Sequence, residues 1–402
     1  MPKKRIPHLF INSGYPPLRG YHSHRAILQL QDILETRVIS IRAITLKRFV
    51  SRKYSIDGID VEEIYIPVVP FMNKNLPFIR YAALFSYPKI KKKLKEALII
   101  ESGSLYPTGE IVRKWMELGE ELSCAKIADA IGDDVKVDLP KLSAVDREKI
   151  INFYDCILSN SKDMSEQVKR MSTKHPLILE AYRGVDFDKF NKNVVAKGPF
   201  LNKPFPRFLY LGGFPTLIEN LGAEDVKGGM YLLEAWKIFE RISKYGFLII
   251  GGPNGDCKYV KEWRESLLYP ERVSIVGRLK AEEIPNYLNG VDIVVIPSLS
   301  EGLPNLANEA QACAIPVLGT DAGGIPETVE HLKTGLIVKK KSVQELLKGL
   351  LWFSSRNEYE IKNMGEYSSQ RIKKLYPWSR YRETAIKGYK YALSKRGINI
   401  NF

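Results

Sequence analysis

The chain has 402 residues, of which 45% are apolar and 27% charged, and its formal net charge is +15. This length accommodates two or three domains with sizeable cores, and the composition excludes a disordered or fibrous protein. The sequence contains no apolar run long enough for a transmembrane helix. Because its basic N-terminus passes directly into a strand-like segment, we expect no signal peptide.

The positive charge is concentrated in the first hundred residues, which hold 18 Lys and Arg but only 7 Asp and Glu. This excess predicts anionic partners such as nucleotides, pyrophosphate-linked lipids or phospholipid surfaces. The four cysteines lie in apolar or helical contexts without C-x-x-C spacing: Cys124, Cys156, Cys257 and Cys313. This pattern favours a reducing, cytoplasmic location without disulfides or a zinc site.

The N-terminal part begins with a predicted strand at 8–12, a loop at 13–20 and a helix at 21–34. A strand, a glycine-containing loop and a helix N-terminus form an anion site in many proteins, although an ordinary βα turn has the same pattern. Further strands are predicted at 97–100 and 125–130, each followed by a polar loop. The pattern is typical of an α/β domain.

The stretch 71–98 carries seven basic residues and no acid between Lys74 and Lys95, interleaved with aromatic residues. Two interpretations stay open, an exposed basic helix and a surface that binds an anionic membrane. We favour the membrane surface. Nucleic-acid binding would use the same charge, but no recognition motif accompanies it, and we expect none.

A segment rich in Pro, Asn, Lys and Gly at 191–206 predicts a linker between two domains. We therefore expect an N-terminal domain at 1–190, a second domain at 207–376 and a final helical segment at 377–402. The second domain alternates predicted strands, at 208–211, 247–250, 273–276, 291–296, 315–318 and 336–338, with predicted helices, at 229–242, 259–268, 281–289, 305–314 and 343–353. This alternation predicts a parallel sheet.

Two acids lie at the carboxyl end of this second sheet, in the stretch from Ser298 to Glu327. Glu301 belongs to the turn-rich loop after strand 291–296, and Glu309 to the helix that follows. An isolated pair of acids at this spacing is more often a helix-dipole acid and a solvated one. The neighbouring residues reverse this interpretation, since the stretch reads EGLPNLANEAQACAIPVLGTDAGGIPE.

This stretch resembles the E-x7-E signature of glycosyltransferase family 4, the group 1 glycosyltransferases. The resemblance implies an α/β fold of the GT-B type, with two Rossmann-like domains whose parallel sheets face each other across a cleft. It also implies a retaining enzyme that transfers a sugar without a metal or another cofactor. The donor would be a UDP- or GDP-linked sugar, and the acceptor a glycan or a lipid-linked molecule bound in the N-terminal domain. The resemblance also implies that the final helix, at 377–402, crosses back to the N-terminal domain.

The resemblance also assigns site residues. Lys227, in a K-G pair that opens a helix, would contact the phosphates, and Glu301 would face the donor sugar; these two are the catalytic candidates. Glu309 would accept hydrogen bonds from the ribose. The remaining donor-site candidates are mostly backbone positions: Gly302, Leu303, Asn305, Leu306, Arg278, Leu279, Gly213 and Gly20.

Several positions depart from the family pattern. Ile131 stands where relatives have a histidine near the sugar, and Phe214 follows a glycine turn where relatives have a cationic arginine. Arg278 and Arg19 are candidate substitutes for that charge. Arg183 replaces an asparagine in the segment that resembles N-G-V-D.

Acids elsewhere in the sequence are weaker candidates for a metal site or a catalytic base. The D-x-D at Asp186–Asp188 matches the metal motif of another glycosyltransferase fold, but it lies in the N-G-V-D-like segment, and we reject the metal interpretation. Three acids near the predicted loop at 131–135 are candidate bases, and we favour solvated turn acids for them: Asp129, Asp133 and Asp134.

We therefore predict a cytoplasmic glycosyltransferase for cell-surface polysaccharide, lipopolysaccharide or glycolipid synthesis, located at the inner face of the membrane. The alternative is a catalytically altered protein or partner subunit that keeps the fold and binds a nucleotide-sugar without transferring it. A sugar phosphorylase would need a phosphate or cofactor site, for which the sequence has no motif.

Overall fold

A computed structural model describes residues 5–17, 20–44, 51–66, 75–119, 123–215 and 225–400. The chain divides into two compact units. Unit 1 comprises Met1–Gly184 and Trp378–Phe402, and unit 2 comprises Val185–Pro377. The division therefore falls at Gly184 and Trp378, and the predicted linker 191–206 belongs to unit 2.

Unit 1 contains an eight-stranded sheet in the order β3-β4-β2-β1-β5-β6-β7-β8, parallel except for the β3–β4 pair. Its strands are β1 (Ile6–Asn12), β2 (Leu34–Ala43), β3 (Lys53–Ile56), β4 (Ile59–Ile66), β5 (Ile99–Ser102), β6 (Ala125–Ala130), β7 (Cys156–Ser159) and β8 (Leu177–Glu180). Its α-helices are α1 (Tyr21–Leu28), α2 (Leu76–Glu96), α3 (Thr108–Leu118), α4 (Ala144–Asn152), α5 (Lys162–Arg170) and α13 (Trp378–Lys395).

Unit 2 contains a six-stranded parallel sheet in the order β11-β10-β9-β12-β13-β14. Its strands are β9 (Arg207–Tyr210), β10 (Phe247–Gly251), β11 (Val273–Gly277), β12 (Ile293–Ile296), β13 (Val317–Thr320) and β14 (Gly335–Val338). Its α-helices are α6 (Gly229–Ile242), α7 (Lys258–Glu265), α8 (Ile284–Leu288), α9 (Asn305–Ala312), α10 (Ile325–Thr328), α11 (Val343–Ser354) and α12 (Glu358–Leu375).

Helix α13 packs against the unit 1 sheet. Its buried residues Tyr381, Ala385 and Tyr389 join a core cluster with side chains of β5, β6 and β7. A β-carbon on Gly388 would lie 3.0 Å from the Cys156 sulfur, so this glycine permits close approach of the helix. Beyond the helix, Arg396 binds the buried Asp155 carboxylate through two hydrogen bonds of 2.9 and 2.8 Å.

The predicted helix at 21–34 is wrong in its second half. Helix α1 ends at Leu28, the chain then turns, and Leu34 is the first residue of β2. Strand pairing is the reason that Leu34 is not helical, because it lies opposite Ile6 in the parallel β1–β2 ladder and is buried there. None of the described helices is both long and apolar enough to cross a membrane.

Candidate functional site

A cavity of about 250 Å³ opens at the carboxyl ends of β9 and β12 in unit 2. The chain proceeds from β9 to β10 on one side, whereas β12 flanks β9 on the other, so this is the switch point of the sheet. Open α/β sheets bind ligands at such points. The lining residues are Tyr210, Leu211, Gly212, Lys227, Val295, Ile296, Pro297, Ser298, Glu301, Leu303, Pro304, Asn305 and Leu306.

The segment that carries Lys227 is fixed by the Asp225 side chain and by a close contact with the end of β12. The Asp225 carboxylate accepts hydrogen bonds from the amides of Gly229 at 3.0 Å and Met230 at 2.7 Å, which caps the start of α6. Gly228 has a φ of +69°, and a β-carbon there would lie 1.9 Å from the Pro297 carbonyl oxygen. Only glycine fits at this contact between the Lys227 loop and the end of β12.

The loop from Ser298 to Pro304 is held by backbone hydrogen bonds on two sides. Leu299 donates its amide to the Val226 carbonyl at 2.8 Å, and the Gly324 amide donates to the Gly302 carbonyl at 2.9 Å. These bonds fix the position of Glu301 relative to the Lys227 loop.

The two catalytic candidates form an ion pair at the cavity. Lys227 Nζ lies 2.6 Å from Glu301 Oε1, and the Ser298 hydroxyl donates to the same oxygen at 3.1 Å. The Lys227 side chain is 46% exposed and that of Glu301 15% exposed. The cavity therefore carries one accessible cation and one partly buried carboxylate, which can bind an anion and hydroxyl groups respectively.

The structure places the other donor-site candidates in three groups. Leu303, Asn305 and Leu306 line the cavity. Gly302, Glu309 and Gly213 belong to neighbouring segments of unit 2 but are not lining residues. The remaining candidates lie elsewhere: Arg278 and Leu279 follow β11, and Gly20 belongs to unit 1.

Glu309 is half-buried on α9, whose position is fixed by the neighbouring Gln311. The Gln311 amide donates to the carbonyl oxygen of Thr328 at 3.2 Å. Gly213 is buried in a left-handed turn, where a β-carbon would lie 2.4 Å from the Pro253 carbonyl oxygen. Gly20 likewise has a φ of +84° at the start of α1.

The departures from the family pattern have structural correlates. Phe214 is buried, and its ring packs edge-on against Tyr210 with centroids 5.5 Å apart, so this position contributes to the core. Ile131 is half-buried, and its amide donates to Asp134. Of the two candidate substitute cations, Arg278 is exposed and Arg19 lies outside the described residues.

The expectation of solvated turn acids is wrong for Asp129 and Asp134, and only Asp133 is exposed. Asp134 accepts hydrogen bonds from the amides of Leu105, Ile131 and Gly132 at 2.9, 3.2 and 2.9 Å. These amides lower its pKa, but burial outweighs them and raises it to about 6.

Asp129 pairs with Arg183 near the carboxyl edge of the unit 1 sheet. An Arg183 Nη lies 3.1 Å from the Asp129 carboxylate and 3.3 Å from the Ser23 hydroxyl. Burial, and to a smaller extent the charge of Glu101, raise the pKa of Asp129 to about 8, although Arg183 acts in the opposite direction. Asp129 is thus a buried, paired acid.

Sequence reasoning gave no role to Ser298, Asp225 or Tyr210. Asp225 gave no clear cap signal, because it lies four residues before the predicted helix and the cap position itself is Gly228. Ser298 and Tyr210 carried no such signal either. Their positions at the cavity follow from the strand order, which joins β9 to β12.

Residues 222–371 match the sequence model described as glycosyl transferases group 1. Over this segment the chain is similar to the group 1 glycosyltransferases. This segment contains Lys227, Glu301 and Glu309 together with β12 and α9, whereas β9 and the lining residues at 210–212 precede it.

Two curated relatives illustrate the similarity. The D-inositol 3-phosphate glycosyltransferase of Mycobacteroides abscessus is 25% identical over 264 residues, covering 63% of this chain and 56% of that protein. A Mycobacterium tuberculosis protein, GDP-mannose-dependent alpha-(1-6)-phosphatidylinositol monomannoside mannosyltransferase, is 28% identical over 170 residues, covering 40% of this chain and 43% of that protein. The matches therefore span about half the length of these relatives.

Solved structures resemble the chain over nearly its full length. Sucrose-phosphate synthase from Thermosynechococcus elongatus superposes with a TM-score of 0.72 at 16% identity, covering 97% of this chain and 100% of that one. Anabaena HepE, solved with UDP and glucose, gives a TM-score of 0.67 at 15% identity, covering 95% and 99%. The fold is GT-B, as predicted for this family.

Proposed function

We propose that this chain is a retaining glycosyltransferase that moves a sugar from a UDP- or GDP-linked donor to a hydroxyl of a glycan or lipid-linked acceptor. One observation carries the proposal. The switch-point cavity, most of whose lining lies in the matched segment, has a cation, Lys227, and a carboxylate, Glu301, 2.6 Å apart. A donor sugar joined to a diphosphate needs both kinds of group.

In this proposal Lys227 binds the diphosphate and stabilises the charge that develops there as the bond to the anomeric carbon breaks. The same carbon forms a new bond to the acceptor oxygen, and the acceptor proton leaves with the released nucleoside diphosphate. Glu301 accepts hydrogen bonds from the sugar, and Glu309 from the ribose. The start of α9, at Asn305, presents backbone amides to an anion.

The acceptor is proposed from the names of the relatives, which are an inositol phosphate glycosyltransferase and a phosphatidylinositol mannoside mannosyltransferase. Inositol phosphates and phosphoinositide glycolipids are therefore the first acceptors to test. The basic first quarter of the chain suits such anionic molecules.

Isothermal titration with UDP, GDP, UDP-glucose and GDP-mannose tests donor binding. We expect micromolar to millimolar dissociation constants, and at least a tenfold loss of affinity in Glu309→Gln. A donor screen with inositol phosphate or phosphatidylinositol then tests transfer, and the proton NMR coupling of the product's anomeric proton tests retention. Absence of binding by every nucleotide would falsify the proposal.

Metal independence is part of the proposal and has its own test. Transfer measured after exhaustive treatment with EDTA should equal transfer in the presence of Mg²⁺ or Mn²⁺. A rate that depends on added metal would contradict this part alone.

The second candidate is a protein that binds nucleotide-sugar without transfer, and the packing of Phe214 favours it. The position that carries a cation in relatives contributes here to the core beside Tyr210. Tight donor binding without transfer or donor hydrolysis over a broad acceptor screen would support this second candidate.

We also propose that the chain binds the anionic inner surface of the membrane through α2. Residues 71–74 of the predicted stretch lie outside the described residues, and α2 contains the rest of it up to Glu96. Tyr81, Leu84 and Phe85 are 55, 54 and 48% exposed on this helix. The exposed lysines follow towards its C-terminal end: Lys89, Lys91, Lys92 and Lys95.

Flotation with vesicles that contain 30% phosphatidylserine tests the membrane proposal. The triple variant K89E/K91E/K92E should lose most of its binding, since each basic residue near an anionic surface contributes about 1 kcal/mol. Lys93 is left unchanged because it pairs with Glu62 at 3.2 Å. K373E/K374E/K387E, three exposed positions on α12 and α13, is the matched control. Equal flotation of the two variants would contradict the proposal.

A further inference from the structure

Backbone contacts hold the two loops that carry Lys227 and Glu301 next to each other. The two residues are 74 positions apart, yet their loops are joined by the hydrogen bond from Leu299 to Val226 and by the close contact of Gly228 with Pro297. Ser298 holds the same carboxylate oxygen that Lys227 contacts. The pair is therefore a fixed feature of the site.

A fixed pair affects different ligands differently. An anion that binds Lys227 either shares the ammonium group with Glu301 or displaces the carboxylate from it, and it then lies close to a second negative charge. A free nucleoside diphosphate brings no sugar hydroxyl that could donate to Glu301. A ligand that also carries hydroxyl groups can donate hydrogen bonds to Glu301 while its phosphate takes Lys227.

We infer that the Lys227–Glu301 pair makes this site select an intact sugar nucleotide over the nucleoside diphosphate that remains after transfer. The inference rests on the proposed function. Once the sugar has left, Glu301 has lost the donors that the sugar provided, keeps the hydrogen bond from Ser298 and pairs again with Lys227. The pair thereby lowers the affinity of the site for the nucleoside diphosphate product and favours its dissociation.

The test compares two affinities in two proteins, measured by isothermal titration without acceptor. In the wild type, UDP-glucose or GDP-mannose should bind more tightly than the matching diphosphate. In Glu301→Gln the diphosphate should bind about two- to fivefold more tightly than in the wild type, the range expected for a partly exposed ion pair. The preference for the sugar nucleotide should fall correspondingly.

A double-mutant cycle separates the pair from a general effect of charge. A general effect of charge persists without Lys227, because removing any acid near the cavity weakens the repulsion of an anion. An effect of the pair does not persist, so the inference predicts that the gain from Glu301→Gln shrinks or vanishes in the Lys227→Met background. Glu262→Gln, which removes an equal charge from an exposed pair with Lys258 on α7, should leave both affinities unchanged.

The outcomes distinguish the inference from the proposed function. If the wild type binds neither diphosphate nor sugar nucleotide, the proposed function fails. If the wild type binds both, and folded Glu301→Gln binds the diphosphate no more tightly, the inference is overturned. A gain that is equal in the Lys227→Met background also overturns it. Circular dichroism melting curves establish that the variants are folded.

Discussion

Two charge pairs near the carboxyl edges of the two sheets differ in their surroundings. In unit 1, Arg183 and Asp129 have side chains only 12 and 9% exposed, and Ser23 shares the guanidinium. In unit 2, Lys227 is half exposed and the pair lines an open cavity. Removing one partner of a pair enclosed by protein leaves a buried charge and destabilises the fold, whereas a pair beside a cavity remains available to a ligand. The charge pair at the edge of the unit 1 sheet is therefore structural, whereas the pair at the edge of the unit 2 sheet can bind a ligand.

The largest expected effect concerns the backbone contact that shapes the unit 2 cavity. Gly228→Ala places a β-carbon 1.9 Å from a carbonyl oxygen at a positive φ, and should destabilise unit 2 by about 4 kcal/mol. Urea unfolding measures the effect. Gly58→Ala in unit 1 is the matched control, because its φ is +74° but nothing lies within 4 Å; it should cost about 1–2 kcal/mol. Equal losses of unfolding free energy in the two variants would show that the contact of Gly228 with Pro297 does not matter.

Removing the buried cation should have the next largest effect, and one that depends on pH. Arg183→Met leaves the buried Asp129 without its opposite charge, at a cost of about 3 kcal/mol at pH 8. The folded pKa of Asp129 already exceeds that of the unfolded chain, and the substitution raises it further. The folded state then binds more protons, so stability falls as pH rises from about 4 through the folded pKa.

Urea unfolding at pH 5 and pH 8 checks this sign. The destabilisation by Arg183→Met should be smaller at pH 5, where Asp129 can hold its proton. Adding Asp129→Asn should recover most of the loss at pH 8, since the buried charge that lost its partner is then removed. A loss that is independent of pH would show that packing, and not charge, is the main contribution of Arg183.

A third substitution examines an acid that is bound by backbone amides. Asp134→Asn presents an amide group to the donor at Leu105 or at Gly132, and should destabilise unit 1 by about 2 kcal/mol. Thermal unfolding measures it. Asp133→Asn, at an exposed neighbouring position, should change stability by less than about 0.5 kcal/mol. A large loss in the control would mean that the loop itself, and not the buried bonds, is sensitive.

The smallest effect on stability should come from the unit 2 pair. Lys227→Met should change the free energy of unfolding by less than about 1 kcal/mol, because the lysine is half exposed. The same variant should lose at least tenfold in nucleotide affinity by titration. A loss of stability as large as that of Arg183→Met would remove the contrast between the two pairs.

Much of unit 2 could be predicted because its sequence alternates β-branched runs with glycine and proline. The predicted helix at 229–242 has the same bounds as α6, and the predicted strands lie within a few residues of β9–β14. Less of the secondary structure of unit 1 could be predicted. Sequence analysis assigned no strand between Leu34 and Ile66, although Asp57-Gly58 is a strong hairpin signal and both residues have positive φ.

The candidate site was predicted only in part, because its charges become neighbours through tertiary structure. Lys227 and Glu301 were assigned separately, and their 2.6 Å contact depends on the adjacency of β9 and β12. The burial of Asp129 depends likewise on Arg183, which is 54 residues away. Local sequence contains no information on such distant partners, so the acid resembled an ordinary turn residue.

The return of the chain to unit 1 has a consequence for synthesis on the ribosome. All of unit 2 is translated between Gly184 and Trp378, before α13 emerges. Unit 2 is continuous and can fold as soon as it is complete, whereas β5, β6 and β7 must wait for Tyr381, Ala385 and Tyr389 to cover them. The unit that begins first therefore finishes last, and its apolar sheet face needs protection while unit 2 is being made.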